Sequence, residues 1–211
     1  TRTGNAIIQT DKTGDNCILL FGGANQAISK HQVDATLSCF DEGDFIVLQN
    51  EINEMPYIIQ KAHEKGMIIV LNPAPMNKKV SEMPLQLVDY LVVNEIEAAQ
   101  LLERTFSEEE DVVIADALVE KFPNTKIILT LGEKGSIYIE GKKRIIQEIY
   151  QTKVVDTTAA GDCFIGYFVA AIMQKKSVEE AMNLAAKASA IAVSKAGAAP
   201  SIPMMEEVLN H

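Results

Sequence analysis

The chain has 211 residues, 47% hydrophobic and 23% charged, the composition of an ordinary globular protein long enough for one domain with a sizeable core. Its net charge is −10 with no basic block, which argues against nucleic acid or an anionic membrane as main partner. No apolar run approaches the roughly 20 residues of a transmembrane helix, no signal peptide opens the chain, and Cys17, Cys39 and Cys163 are widely spaced with no CxxC, so a cytoplasmic protein with reduced thiols is expected. His31, His63 and His211 form no metal spacing.

Residues 1–25 read as a hairpin. Ala6 to Gln9 and Cys17 to Phe21 are short strands, joined by the turn formers Asp11 to Asn16. Two strands alone are marginal in water, so this hairpin needs partners. From about Ser29 the period changes: Val33, Thr36, Leu37 and Phe40 share a helical face.

Strands and helices then alternate. Phe45 to Gln49 is a near-continuous apolar run, as in a buried parallel strand. A helix over 55–65 stops at Gly66. Met67 to Leu71 is the next strand, ending in Asn72-Pro73-Ala74-Pro75. Tyr90 to Val93 is another, ending in Asn94-Glu95. Helices over 96–104 and 108–122 follow, then a strand from Lys126 to Thr130. Ser136 to Glu140 and Arg144 to Tyr150 read as a second hairpin about Gly141, and helices over 161–174 and 178–196 close the core. Repeated βα units predict a mostly parallel sheet covered by helices on both faces, an α/β fold of three layers. The one boundary drawn from the sequence lies near residue 25, between the hairpin and an α/β body over 26–211.

The stretch Val154 to Phe168, VVDTTAAGDCFIGYF, organises the rest. Val154 and Val155 read as the end of a short strand, and Asp156, Thr157 and Thr158 as a polar turn. Ala159, Ala160 and Gly161 are small enough for close backbone approach, and an apolar helix follows. The first amides of a helix lack internal partners and carry partial positive charge, so this is a place for a phosphate. Asp162 beside such a place suits a base, and the combination points to phosphoryl transfer to a hydroxyl. An Asp at a helix start is also an ordinary cap or dipole partner. Cys163 reads as a small packing residue.

The candidate polar residues fall at strand ends, where active sites of such sheets lie. They are Gln49-Asn50-Glu51, Asn72, Asn94 to Glu97, Thr130 to Gly135 and Asp156 to Asp162. Asn94 and Glu97, three apart at a helix start, also make a capping box. Gly132 and Gly135 allow close approach, or simply a tight hairpin entry. Lys195 to Ser201 leaves the last long helix, with Gly197 as its terminator. There is no GxxxxGK[ST] and no protein-kinase signature set.

The wording DTTAAGD resembles the DTxGAGD signature of the ribokinase-like (pfkB) carbohydrate kinases, with Ala159 where many members carry Gly. Thr3-Gly4-Asn5-Ala6, Gly22-Gly23-Ala24-Asn25, NPAP at 72–75, NEIE at 94–97 and TLGEKG at 130–135 resemble further family segments in family order. The resemblance runs from about Thr3 to Pro203. It implies a ribokinase-like three-layer α/β/α fold, with residues 1–25 as part of a β lid. It implies an ATP-dependent sugar kinase acting on a primary hydroxyl, with Asp162 as base and the amides of Ala159, Ala160 and Gly161 stabilising the transferring phosphoryl group. Asn94, Thr130, Gly132 and Gly135, with Gly161, would line the ATP site. Glu51 would touch the sugar alongside Asp162, and Asn72 would brace the site. Glu97 would help hold Mg2+ through water. Asp156, Thr158, Ala192, Lys195, Gly197 and Ser201 would hold a monovalent cation, K+, largely through backbone carbonyls. Lid pairing between subunits would give a homodimer.

The AAGD, GAN and NPAP wordings lean toward ribose, with fructose, a sugar phosphate or a nucleoside as other acceptors. The family's N-terminal third, which carries most sugar contacts, has no counterpart in this sequence. A trimmed piece of a longer product or a non-catalytic nucleotide- or sugar-binding remnant therefore stands beside the kinase reading. A dinucleotide-binding oxidoreductase would need a G-x-G-x-x-G after a first strand, which the sequence lacks.

Overall fold

The structure, a computed structural model, describes residues 1–10, 16–105 and 111–210. They fall into two compact units. The first comprises Thr1–Leu91 and Ala99–Thr105; the second comprises Val92–Ala98 and the described residues after 105. The chain passes from the first unit to the second after Leu91 and back after Ala98.

The first unit opens with an antiparallel hairpin, β1 (Asn5–Thr10) and β2 (Asn16–Phe21), in register Asn5↔Phe21 to Thr10↔Asn16. Its turn over Asp11 to Asp15 lies outside the described residues. Ile7 and Leu19 are directly paired, and both are more than half exposed, as are Leu20 and Phe21. A two-stranded ribbon has little to bury its side chains against.

Helix α1 (Lys30–Leu37) starts at Ser29, whose hydroxyl caps the Gln32 amide while the Gln32 side chain returns to the Ser29 amide. Such a box contributes about 1 kcal/mol. Val33 and Leu37 are buried, but Phe40 lies beyond the helix and is exposed. Strand β3 (Phe45–Gln49) pairs in parallel with β4 (Ile68–Asn72), from Phe45↔Ile68 to Gln49↔Asn72. Between them α2 (Met55–Glu64) buries Met55, Ile58, Ile59 and Ala62, an i, i+3, i+4, i+7 stripe, and packs on β4. Pro56 fits its first turn, where a missing N–H costs nothing. The start of β5 (Tyr90–Asn94) pairs in parallel with β4 at Val70↔Tyr90 and Leu71↔Leu91.

The second unit takes the rest of β5, followed in strand order by β6 (Lys126–Thr130), β7 (Ser136–Glu140) and β8 (Lys143–Gln147). Strands β6, β7 and β8 are successively antiparallel. Ile127, Ile128 and Leu129 are fully buried, so both faces of β6 are covered, and an unbroken apolar run is what such a strand requires. Helix α3 (Glu95–Leu102) follows β5 directly, and α4 (Asp111–Lys121) packs on β6 and β7. The predicted start of that helix at 108–110 lies outside the described residues.

Helices α5 (Ala160–Met173) and α6 (Val178–Val193) pack against each other, and α7 (Met205–Asn210) packs on α6. Tyr138 of β7 and Phe168 of α5 have ring centroids 6.5 Å apart. Ser177 and Glu180 form the capping box of α6.

One expected element is absent. Val154 and Val155 form no strand and are 58% and 55% exposed. The Val155 and Asp156 amides both donate to the Val193 carbonyl at the end of α6, so no strand ladder forms there. Helix α5 begins one residue before the expected start at 161, with Ala160 in its first turn.

Candidate active site

The residues expected to bear chemistry in the second unit gather at four chain junctions. The first is the entry to α5. Ala159 is the N-cap residue, with φ 62° and ψ 13°, a left-handed conformation that an L side chain adopts at a cost of about 1–2 kcal/mol. The Ala160 amide donates to the Thr157 carbonyl at 3.2 Å, closing the turn. Ala160 is therefore part of the turn's own bonding, not only of an open row of amides. Asp162 stands in the first turn, exposed. A methyl placed on Gly161 would meet nothing within 4 Å, so the space beside that turn is open.

The position of this turn is set by what lies behind it. Helix α5 buries Cys163, Phe164, Ile165, Phe168 and Val169, and each large apolar side chain contributes roughly 1.5–3 kcal/mol. Ser189 of α6 donates its hydroxyl to the Ala160 carbonyl at 2.9 Å, a tie that nothing in the sequence near 159–162 signals. Cys163 is 2% exposed, and burial, with the Asp162 charge adding to it, pushes its thiol up to about 11. A thiol this weakly acidic is a packing group.

The second junction joins the 156–158 turn to the end of α6. Asp156 accepts the Thr158 amide at Oδ1 and the Gly197 amide at Oδ2, each at 2.9 Å. These bonds, led by the Thr158 hydroxyl, hold its carboxyl below the usual carboxylate range. Asp156, Thr158 and Gly197 are thus brought together. The Lys195 amide donates to the Ala192 carbonyl at 3.1 Å, while its ammonium pairs with Glu207 at 2.7 Å. Ser201 is fully buried, its hydroxyl donating to the Ala198 carbonyl at 2.7 Å. The groups these residues can offer a cation are oxygens, the donor type a hard cation takes.

At the third junction Asn94 caps α3. Its Oδ1 accepts the Glu97 amide at 2.7 Å, and Glu97 Oε2 accepts the Asn94 amide at 3.0 Å. The capping box is therefore real. Any cation role for Glu97 would be added to this structural one. The fourth junction is the turn after β6. The Thr130 hydroxyl reaches the Val93 carbonyl at 3.4 Å, next to Asn94. Gly132 and Gly135 bracket a single 3-10 turn with φ 54° and 93°. They differ in purpose. A methyl on Gly132 would meet nothing within 4 Å, whereas one on Gly135 would lie 2.1 Å from the Gln147 carbonyl oxygen. Gly135 is required by the approach of β8, whatever it binds.

In the first unit Glu51 is exposed on the loop after β3. Asn72, at the end of β4, accepts from the Gln49 side chain at 3.3 Å. Asn50 is 7% exposed and ties this loop to the NPAP turn, its amide donating to the Ala74 carbonyl at 2.8 Å and its Nδ2 to the Pro75 carbonyl at 2.7 Å. Asn53, which the sequence did not single out, binds the Ile28 backbone through both ends of its carboxamide. Among the described residues no helix is long and apolar enough to cross a membrane.

A small-residue turn opening a helix with a buried face, an acid in that helix's first turn and glycines after β6 are features suited to binding and transferring a phosphoryl group. The sequence matches the pfkB family of carbohydrate kinases over residues 1–205. The chain belongs to that family.

Within the family it is similar to ribokinases. It is 36% identical to the ribokinase of Haemophilus influenzae over 212 residues, covering 99% of this chain and 68% of that protein. The ribokinase of Cryptococcus neoformans var. grubii in complex with ADP superimposes with a TM-score of 0.85 at 32% identity, over 99% of this chain and 71% of that one. The ribokinase of Arabidopsis thaliana complexed with ribose and ATP gives a TM-score of 0.84 at 30% identity, over 99% and 68%. The fold is therefore ribokinase-like α/β, and the chain spans roughly two thirds of the length of these relatives.

Proposed function

We propose that this chain is an ATP-dependent sugar kinase acting on a primary hydroxyl, with ribose as acceptor and ribose 5-phosphate as product. The observation that carries the reading is the entry to α5, where Asp162 stands in the first turn beside the open space at Gly161. The relatives complexed with ADP and with ribose and ATP support the same nucleotide and sugar.

In this reading Asp162 takes the proton from the sugar hydroxyl as that oxygen attacks the γ-phosphorus. The Gly161 amide and the dipole of the 14-residue helix favour the negative charge that develops there. Ala159 and Ala160 shape the turn. Ala160 does so with its amide already engaged to Thr157. Asn94, Thr130, Gly132 and Gly135 line the nucleotide side, and Glu51 binds sugar. Glu97 would hold Mg2+ through water, and that ion would neutralise phosphate charge when bound. Asp156, with carbonyls of Thr158, Ala192, Lys195 and Gly197 and the Ser201 oxygen, would hold K+. The protein would be cytoplasmic, and two copies would pair through hairpins whose Ile7, Leu19, Leu20 and Phe21 are exposed.

The test is ADP release from ATP by the 211-residue chain with Mg2+ and K+, offered ribose, fructose, fructose 6-phosphate and nucleosides one at a time. Ribose-dependent ADP is expected. ADP release with another acceptor alone would overturn the choice of sugar. Nucleotide binding without turnover on any acceptor would favour a non-catalytic binding module, a reading kept because the chain spans only 68% of its Haemophilus relative.

A further inference from the structure

The loop that carries Glu51 is fastened to a distant segment by four hydrogen bonds. The Ile28 amide donates to Asn53 Oδ1 at 2.9 Å, and Asn53 Nδ2 donates to the Ile28 carbonyl at 2.7 Å. The Asn53 amide donates to the Asn25 carbonyl at 3.0 Å, and Gln26 Nε2 donates to the Glu51 carbonyl at 2.8 Å. One carboxamide thus takes both polar backbone groups of a single residue 25 positions away, as a neighbouring strand would. The segment it captures, Asn25 to Ile28, is the exit from the Gly22-Gly23-Ala24-Asn25 turn.

The same loop is fixed on its other side. Asn50 is nearly buried and ties it to Ala74 and Pro75. Glu54, directly after Asn53, holds φ 62°, and the next residue, Met55, is 2% exposed. A left-handed conformation in a non-glycine residue persists only where its surroundings over-determine it. Two asparagines and one buried methionine supply those surroundings. The result is a rigid mount: the backbone of Glu51 is held by neighbours on both sides, while its side chain remains exposed.

We propose that Asn53 is a positioning residue for sugar recognition, fixing the backbone of Glu51 against the Asn25–Ile28 segment. The proposal rests on the reading of Glu51 as a sugar-binding residue. A carboxylate on an ordered mount needs no ordering when the sugar arrives, so loss of the mount weakens sugar binding and leaves the nucleotide side alone.

The test compares Asn53→Ala, Asn53→Asp and Glu51→Gln in the whole chain. The readouts are ribose Kd by calorimetry, KM for ribose and for ATP, kcat, Tm, and hydrogen exchange at the Ile28 amide. Asn53→Ala is expected to raise ribose Kd and KM about tenfold, with kcat changed less than about threefold and KM for ATP unaltered. Ile28 should lose protection while the α6 amides keep theirs. Asn53→Asp keeps an acceptor for the Ile28 amide but sets a carboxylate oxygen against the Ile28 carbonyl, so it should not restore the affinity. If Glu51→Gln weakens ribose binding and Asn53→Ala does not, the sugar reading stands and the positioning role falls. It falls equally if Asn53→Ala weakens ribose and ATP together in step with a lowered Tm. If Glu51→Gln leaves ribose binding intact, the sugar reading of Glu51 falls and takes the proposal with it.

Discussion

Asp156 Oδ2 accepts the Gly197 amide at 2.9 Å across 41 residues of sequence. Its other oxygen accepts the Thr158 amide, so one carboxylate joins the turn before α5 to the loop after α6. The Thr158 hydroxyl and these two amides favour the ionised form, so the folded pKa lies below the unfolded value of about 3.9. The stabilisation is then present above pH ~4 and is lost as pH falls through the folded pKa. Asp156→Asn should lower Tm at pH 7 and flatten the loss of Tm between about pH 4 and pH 2. Thermal melts of both proteins across that range check this. Parallel curves for the two proteins would show that the carboxylate charge does not matter to the latch.

Asp162 is exposed in the first turn of a helix whose far side is buried among Phe164, Ile165 and Phe168. Its removal should therefore spare the fold and stop the chemistry. Asp162→Asn is expected to lower kcat by about 10²–10⁴-fold with Tm within about 2 °C of the parent. Unchanged turnover would remove the base role from Asp162.

The two kinds of glycine in the candidate site should part company. Gly161→Ala places its methyl in open space, so Tm should hold while KM for ATP or kcat suffers if phosphate approaches that turn. Gly135→Ala drives a methyl to 2.1 Å from the Gln147 carbonyl at φ 93°. It should destabilise the chain by about 3 kcal/mol or more, because both the clash and the left-handed backbone oppose it. Urea melts of the two variants, with nucleotide kinetics for Gly161→Ala, separate ligand approach from backbone fit.

Ser136 opens β7 opposite Thr130, is 3% exposed, and its hydroxyl has no hydrogen-bond partner among the described residues. A buried hydroxyl without a partner carries a desolvation cost. Ser136→Ala should be neutral or stabilising by up to about 1 kcal/mol in urea denaturation. A loss above that would mean the hydroxyl is satisfied by a buried water.

The sequence alone determined the order of elements and the chemical signature. Ile69 to Leu71 and Ile127 to Leu129 are apolar without interruption because strands covered on both faces must be, and such runs are legible in one dimension. The run from Phe45 to Leu48 reads the same way, yet β3 ends the strand order and leaves Val47 51% exposed, which the run alone does not show. The Asn94–Glu97 box was legible because a cap is a local bond, three residues long. The tertiary structure decided where backbone amides go. Val154 and Val155 have strand-forming side chains, yet the Val155 and Asp156 amides end on the Val193 carbonyl, a partner that no local pattern reveals. Ala159 takes a conformation that only a glycine would have announced. Asn53 finds Ile28, and Ser189 finds the Ala160 carbonyl, across 25 and 29 residues. A polar side chain in sequence declares only that it needs a partner. Which partner it finds is settled by packing, because helices and strands with buried apolar faces fix the loops between them.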